Sequence, residues 1–169
     1  LLAILSPYFK FPEWVTNPKP KYESSFKNKN QPKTFEQKQD LNTASASQLQ
    51  KVNGIGEAYS KRIVTYREKY GGFIADVQLH NVYGLSPEVI ERITEQFTVK
   101  TPKQIDKISL NSATVEELVT IQYIDYEVAH HIVEQRTLIE GYQSLDELLK
   151  VKSFPSKKIE IIKLYLKLN

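Results

Sequence analysis

The chain contains no cysteine and no methionine. Without thiols, disulfide frameworks, thiolate zinc sites, iron–sulfur clusters and cysteine nucleophiles are excluded, and the redox compartment is left undecided. Translation begins at Met, so a Met-free chain opening at Leu1 reads as a processed or trimmed piece of something longer. Long apolar runs are missing as well. Residues 1–5 (Leu1, Leu2, Ala3, Ile4, Leu5) are apolar, but a bilayer crossing needs about 20 such residues. Two readings of this end stand side by side: an apolar terminus without structure, or the stub of a transmembrane or signal segment preceding Leu1. In the second reading Tyr8, Phe9, Lys10, Phe11 and Trp14 form an interfacial belt and give membrane attachment.

Charge of one sign is scarce except at the start. The net charge is +3, and residues 1–39 hold seven Lys against three Glu, whereas residues 40–99 hold six basic and seven acidic side chains and residues 100–169 ten of each. The excess is therefore N-terminal. Five of the eight prolines (Pro7, Pro12, Pro18, Pro20, Pro32) share that stretch, so residues 1–39 read as a basic, largely unpacked linker able to sweep an anionic partner.

Residues 41–99 laid over 110–168 at an offset of 69 match at 14 of 59 positions without a gap. Leu41/Leu110, Asn42/Asn111, Ala44/Ala113, Leu49/Leu118, Ile55/Ile124, Ile63/Ile132, Arg67/Arg136, Gly72/Gly141 and Ile93/Ile162 are among the identities. Each copy is punctuated alike. Ser45 with Gln48 and Thr114 with Glu117 are capping boxes that start a short helix. The first copy then predicts helices over about 45–52, 57–70 and 76–82, and a fourth capped by Ser86 with Pro87 at its first position. Four helices with short turns make one unit of about 60 residues, so the expectation is an all-α chain with units at 40–99 and 100–169 behind the linker.

Between the first two helices lies Leu49, Gln50, Lys51, Val52, Asn53, Gly54, Ile55, Gly56. Two glycines bracketing an apolar residue predict positive φ, with Ile55 tucked into the core and backbone amides left unscreened at a helix start near Glu57, an arrangement suited to one phosphate. The surrounding residues complete a pattern: Asp40, Leu41, Asn42, Thr43, Ala44, Ser45 before it, and Tyr66, Arg67, Glu68 with Gly71, Gly72, Phe73 after it. Together these resemble the bacterial competence DNA receptor (ComEA-type) helix-hairpin-helix proteins, present here as two tandem copies, the second degenerate.

That resemblance implies two (helix-hairpin-helix)2 units of the SAM-like orthogonal-bundle kind. It also implies binding to duplex DNA phosphates from the minor-groove side without sequence choice, through the amides of Gly54, Gly56, Ala58 and Tyr59. Lys51, Lys61, Arg62, Arg67 and Lys69 are the basic side chains placed to help. It further implies that the carbonyls of Gln50, Val52 and Ile55 hold a monovalent cation. The other hairpins depart from the pattern: Gly84 is followed by Ser86, the third reads Tyr123, Ile124, Asp125 and the fourth Ser153, Phe154, Pro155. Asp125 would repel a phosphate where Gly56 admits one, so the degenerate unit is read as the place for a protein partner.

The remaining residues carry no chemistry in the sequence. His80 stands alone and the adjacent His130 and His131 face different sides of a helix, so no metal site is expected. Asp76 reads as a helix cap, not the catalytic Asp of a glycosylase. Neither a paired-carboxylate nor a Ser-His-Asp arrangement appears. The expectation is a non-enzyme without cofactors, bacterial and held at the cell envelope, that binds duplex DNA weakly and serves DNA uptake. The alternative is a helical protein–protein interaction module with residual DNA binding or none.

Overall fold

Ser45 and Thr114 each accept a hydrogen bond from the amide three residues on, and Gln48 and Glu117 reach back to the cap amides. These two boxes start the two copies in a computed structural model that describes residues 32–169. The expectations for residues 1–31, the greater part of the basic linker and the membrane stub, lie outside the described residues.

In the first copy α1 (Ala46–Leu49) leads through the hairpin to α2 (Glu57–Tyr70), which ends at Gly71 in the left-handed region. A 3-10 helix, Asp76–Asn81, and α3 (Pro87–Gln96) complete the bundle. The second copy repeats this with α4 (Val115–Leu118), α5 (Tyr126–Leu138), a 3-10 helix Leu145–Lys150 and the short α6 (Ile159–Ile162). The third segment of each copy is a 3-10 helix because side chains, not an α-ladder, hold it. Gln78 Oε1 accepts from the amides of Ile74 and Ala75. Asp76 accepts from the Thr98 hydroxyl and the Val99 amide at 2.8 and 2.7 Å. Asp76 is thus a tie between chain segments, and the cap position belongs to Ala75.

Four two-residue strands also form: β1 (Gln39–Asp40), β2 (Phe97–Thr98), β3 (Ile108–Ser109) and β4 (Leu166–Lys167). β1 pairs in parallel with β2, and β3 with β4, so each copy's two ends are stitched together. Such short pairs have no room for an alternating pattern and escape detection in the sequence. They also draw residues 33–39 out of the linker: Phe35–Gln37 form a 3-10 turn, and the Lys100 Nζ donates to the Glu36 carbonyl at 3.0 Å.

The two cores are built from the repeated positions. Leu41, Leu49, Ile55, Ile63, Phe73, Leu79 and Ile93 are buried in the first, and Leu110, Leu118, Ile124, Ile132, Tyr142, Leu148 and Ile162 take the same places in the second. Each such side chain contributes about 1.5–3 kcal/mol by leaving water. The invariant polar residues have equally local duties. Asn42 brackets Phe73 by accepting from its amide and donating to its carbonyl, and Asn111 does the same for Tyr142.

The copies also touch. The Tyr123 hydroxyl donates to Asn81 Oδ1 at 2.6 Å, Asn81 Nδ2 donates to Gln122 Oε1 at 3.3 Å, and Gln78 Nε2 donates to the Tyr165 hydroxyl at 3.1 Å. The Lys158 ammonium, 4.7 Å from the centre of the Tyr123 ring, also donates to Asn81 Oδ1 at 3.4 Å.

Candidate nucleic-acid interface

Gly54 sits in the first hairpin at φ +90°, where a side chain is strained, and the Ile55 amide closes the turn on the Val52 carbonyl at 3.0 Å. Ile55 points inward and is 4% exposed. Gly56 differs from expectation: its φ is −87°, an ordinary extended conformation, and it is the N-cap of α2. What glycine supplies there is an empty cap. A Cβ at Gly56 would meet nothing within 4 Å, no side chain caps the helix, and among the described residues no acceptor meets the amides of Gly54, Gly56, Ala58 or Tyr59. The unfilled donors and the helix dipole leave this end open to an anion.

The equivalent position in the second copy shows the closed form. Asp125 caps α5, with Oδ1 accepting from the Val128 amide at 2.9 Å, so its own carboxylate occupies the helix end. Tyr123 takes the place of Gly54 and holds φ +76°, and Ser153 takes that of Gly84 at φ +60°. The hairpin backbone is thus kept in all four places while the open anion site is not. Tyr123 is committed to Asn81 of the first copy, and Ser153 Oγ donates to Glu127 Oε1 at 3.2 Å.

Within the first copy the second hairpin is a partner of the first. Gly84 repeats Gly54 thirty positions on, with φ +84°, and Arg92 repeats Arg62 by the same step. The two arginines are exchanged across the bundle. Arg62 Nη1 donates to the Tyr83 carbonyl at 3.2 Å, and a Cβ on Gly84 would lie 2.5 Å from that same nitrogen. Arg92 Nη1 lies 3.0 Å from where a Cβ on Gly54 would be. Each hairpin therefore carries the arginine of the other hairpin's helix. Arg62 also lies 5.1 Å from the centre of the Tyr83 ring and 5.6 Å from that of Tyr59, flat-ring contacts that hold its position. Arg92 was absent from the sequence candidates. The signal that could have found it is the thirty-residue step inside the unit, masked by the 69-residue repeat.

The other basic candidates divide. Lys51 and Lys69 are exposed, with Lys69 Nζ 5.3 Å from the Tyr70 ring centre. Lys61 pairs with Glu57 at 2.6 Å, and its hydrogen bond and charge hold the Glu57 carboxyl below the usual carboxylate range. This pair neutralises an acid that would otherwise oppose an anion at the start of α2. Arg67 has a structural duty: its Nη1 donates to the carbonyls of Leu41 and Ala44 at 3.1 and 2.8 Å, so it braces α2 against the strand and turn before α1. Arg136 makes the same two bonds to Leu110 and Ala113.

Of the three carbonyls expected to hold a monovalent cation, that of Val52 accepts the Ile55 amide in the turn. Among the described residues no three His, Asp or Glu side chains converge as metal ligands. His131, at the position of Arg62, has Nδ1 buried without a hydrogen-bond partner among the described residues.

Residues 32–98 and 103–167 each match the family model described as the helix-hairpin-helix motif. The chain belongs to the helix-hairpin-helix family. It is similar to ComE operon protein 1 of Bacillus subtilis, 33% identical over 61 residues, 36% of this chain and 30% of the relative. It is 40% identical over 62 residues to an uncharacterized protein of Haemophilus influenzae, covering 36% of this chain and 55% of that one. A Danio rerio protein named "Endonuclease/exonuclease/phosphatase family domain-containing protein 1" is 26% identical over 141 residues, which cover 73% of this chain and 26% of the relative. The chain thus spans about a quarter of the length of that relative. No solved structure matches.

Two tandem ComEA-type helix-hairpin-helix copies in a mostly helical chain are thereby established, and membership supports non-sequence-specific DNA binding in general. The expectation of a non-enzyme is overturned by the likeness to a protein named for an endonuclease/exonuclease/phosphatase family domain, which covers most of this chain. The lack of a catalytic constellation in these residues therefore does not decide whether the protein is an enzyme.

Proposed function

We propose that the first copy holds duplex DNA on both of its hairpins, by the open backbone amides of the first and by Arg62 and Arg92 at the two, while Ser86 already caps the helix after the second, and that the second copy is a docked support. The observation that carries this is the crossed placement of the two arginines on Gly84 and Gly54, beside the uncapped start of α2. In this reading the amides and guanidinium groups meet phosphates and not base edges, so affinity follows phosphate number and salt, not sequence. The structure supplies nothing comparable in the second copy, where Asp125 and Tyr123 fill the equivalent positions.

Labelled duplexes of several sequences, titrated against the full chain at two salt concentrations, test the reading. The expected log–log slope is about −2 to −4, for roughly two to four neutralised phosphates. Gly56→Asp copies the closed cap of α5, and binding should fall while the fold stays. Sequence preference, or undiminished binding by a folded Gly56→Asp chain, would refute it.

The process served divides two likenesses. The alignment with the Danio rerio protein, at 141 residues, is longer than either repeat and so takes in parts of both, which supports a DNA-holding arm beside an endonuclease/exonuclease/phosphatase family domain. The likeness to ComE operon protein 1 covers 61 residues and supports DNA uptake at the envelope. Among the described residues no helix is long and apolar enough to cross a membrane. Cleavage assays on the complete gene product, set against uptake assays in a competent host, separate the two.

A further inference from the structure

Beside the crossed arginines, α2 and the second hairpin face Gln122 of the second copy across a cleft of about 360 Å³. That volume falls within the range of small-ligand sites. Lys61, Arg62 and Lys69 line it, and no carboxylate does. Three tyrosines line it: Tyr66 and Tyr70, ring centres 4.5 Å apart, the first buried and the second 37% exposed, and Tyr83, whose ring is taken up by the Arg62 guanidinium at 5.1 Å and leaves Tyr70 as the platform. On the far side Gln122 accepts from Asn81 through Oε1, which fixes its side chain and leaves the Nε2 hydrogens without an acceptor among the described residues.

We propose that this cleft takes one unpaired nucleotide of a nucleic-acid strand, the base stacked on Tyr70, its edge met by Gln122, and its phosphate drawn by Lys69. Cations along a groove with an aromatic platform are the chemistry by which single strands are held, and stacking tolerates any base. An acidic peptide would use the lysines and leave the tyrosine face idle. The proposal rests on the duplex reading above, because Arg62 belongs to both sites: a strand leaving a duplex seated on the second hairpin passes directly into the cleft. The second copy then has a purpose without binding duplex itself. It supplies the wall that carries Gln122, held there by Tyr123 on Asn81.

The full chain is titrated with a blunt duplex, with the same duplex carrying a short unpaired end, and with a single-stranded 10-mer, 2-aminopurine being the unpaired base nearest the duplex in the second and a central base in the third. The unpaired end should tighten binding about fivefold or more, and the aminopurine fluorescence should fall on binding. Tyr70→Ala should remove the advantage and the quenching without changing blunt-duplex affinity, and Tyr70→Phe should keep both. Gln122→Ala should reduce the advantage from the opposite wall, which decides the matter if Tyr70→Ala does not fold. Equal affinity for blunt and overhanging duplexes, or quenching that survives both alanine variants, overturns the proposal. So does displacement of the 10-mer by polyglutamate with equal potency per charge. If the blunt duplex fails to bind but the 10-mer is quenched in a Tyr70-dependent way, the duplex reading falls and the cleft stands. Blunt binding with no overhang advantage gives the reverse.

Discussion

Arg62 donates a hydrogen bond to the backbone carbonyl of Tyr83 at 3.2 Å, tying the helix that follows the first hairpin to the loop of the second. The contact is available only because the next residue is Gly84. It makes the two hairpins of the first copy one surface, and several measurable consequences stem from it.

Gly84→Ala places a methyl group 2.5 Å from Arg62 Nη1 at a residue with φ +84°. Strain at such a φ costs on the order of 1 kcal/mol or more, and the arginine must move as well. Urea denaturation should show that loss of stability, and duplex affinity should fall with it. Double replacement with Arg62→Ala should recover part of the stability and none of the binding. An unchanged midpoint for Gly84→Ala would show that the arginine contact is not held in solution.

Arg67→Ala removes two charge-assisted hydrogen bonds to the carbonyls of Leu41 and Ala44. A loss of about 2 kcal/mol is expected, with Arg67→Lys recovering part of it, because both bonds come from the one nitrogen Nη1 and an ammonium also carries several donors. The slope of DNA affinity against salt should stay the same. A slope smaller by about one would return Arg67 to the list of phosphate contacts.

The caps of α2 and α5 should respond in opposite senses. Asp125→Ala loses the bond to the Val128 amide and should cost about 1 kcal/mol by thermal melting. Gly56→Asp enters an unstrained site with open space, and should leave stability the same or raise it by a few tenths of a kcal/mol. A marked loss of stability in Gly56→Asp would mean that the glycine serves the turn and not the anion site.

Burial pushes the Tyr142 phenol up to about 12, above the ordinary 10.0, with the Arg136 charge acting in the opposite direction; the hydroxyl donates to the Ile132 carbonyl at 3.0 Å. In the unfolded chain this phenol ionises near pH 10, while in the fold it keeps its proton to about 12. The second copy is therefore fully supported below pH 10 and loses support as pH rises from 10 toward 12. Tyr142→Phe, which copies Phe73 of the first copy, should cost about 1 kcal/mol at pH 7 and flatten the fall in stability between pH 10 and 12. Equal alkaline slopes for the two chains would assign that fall to other groups.

Much of the architecture was legible in residue order because it is decided locally. Ser45 with Gln48, Thr114 with Glu117, Ser86 with Pro87, and the apolar positions Leu49, Ile55, Ile63 and Ile93 act within a turn or two of chain, and the 69-residue repeat copies them into a second core. Caps and helical spacing are short-range rules, so they can be read without the fold. The roles of Arg62, Arg67, Arg92, Tyr123 and Gln122 were not legible, because each is set by a partner 21 to 42 positions away or by the approach of one loop to another helix. Gly56 shows the limit most clearly. The residue type could announce a place without a side chain, but only the three-dimensional arrangement shows that the place is an empty helix cap at φ −87° and not a strained turn. Sequence by itself determined the helices, the duplication and the hairpins; tertiary structure alone decided which hairpins face outward as a pair and which one is spent on holding the two copies together.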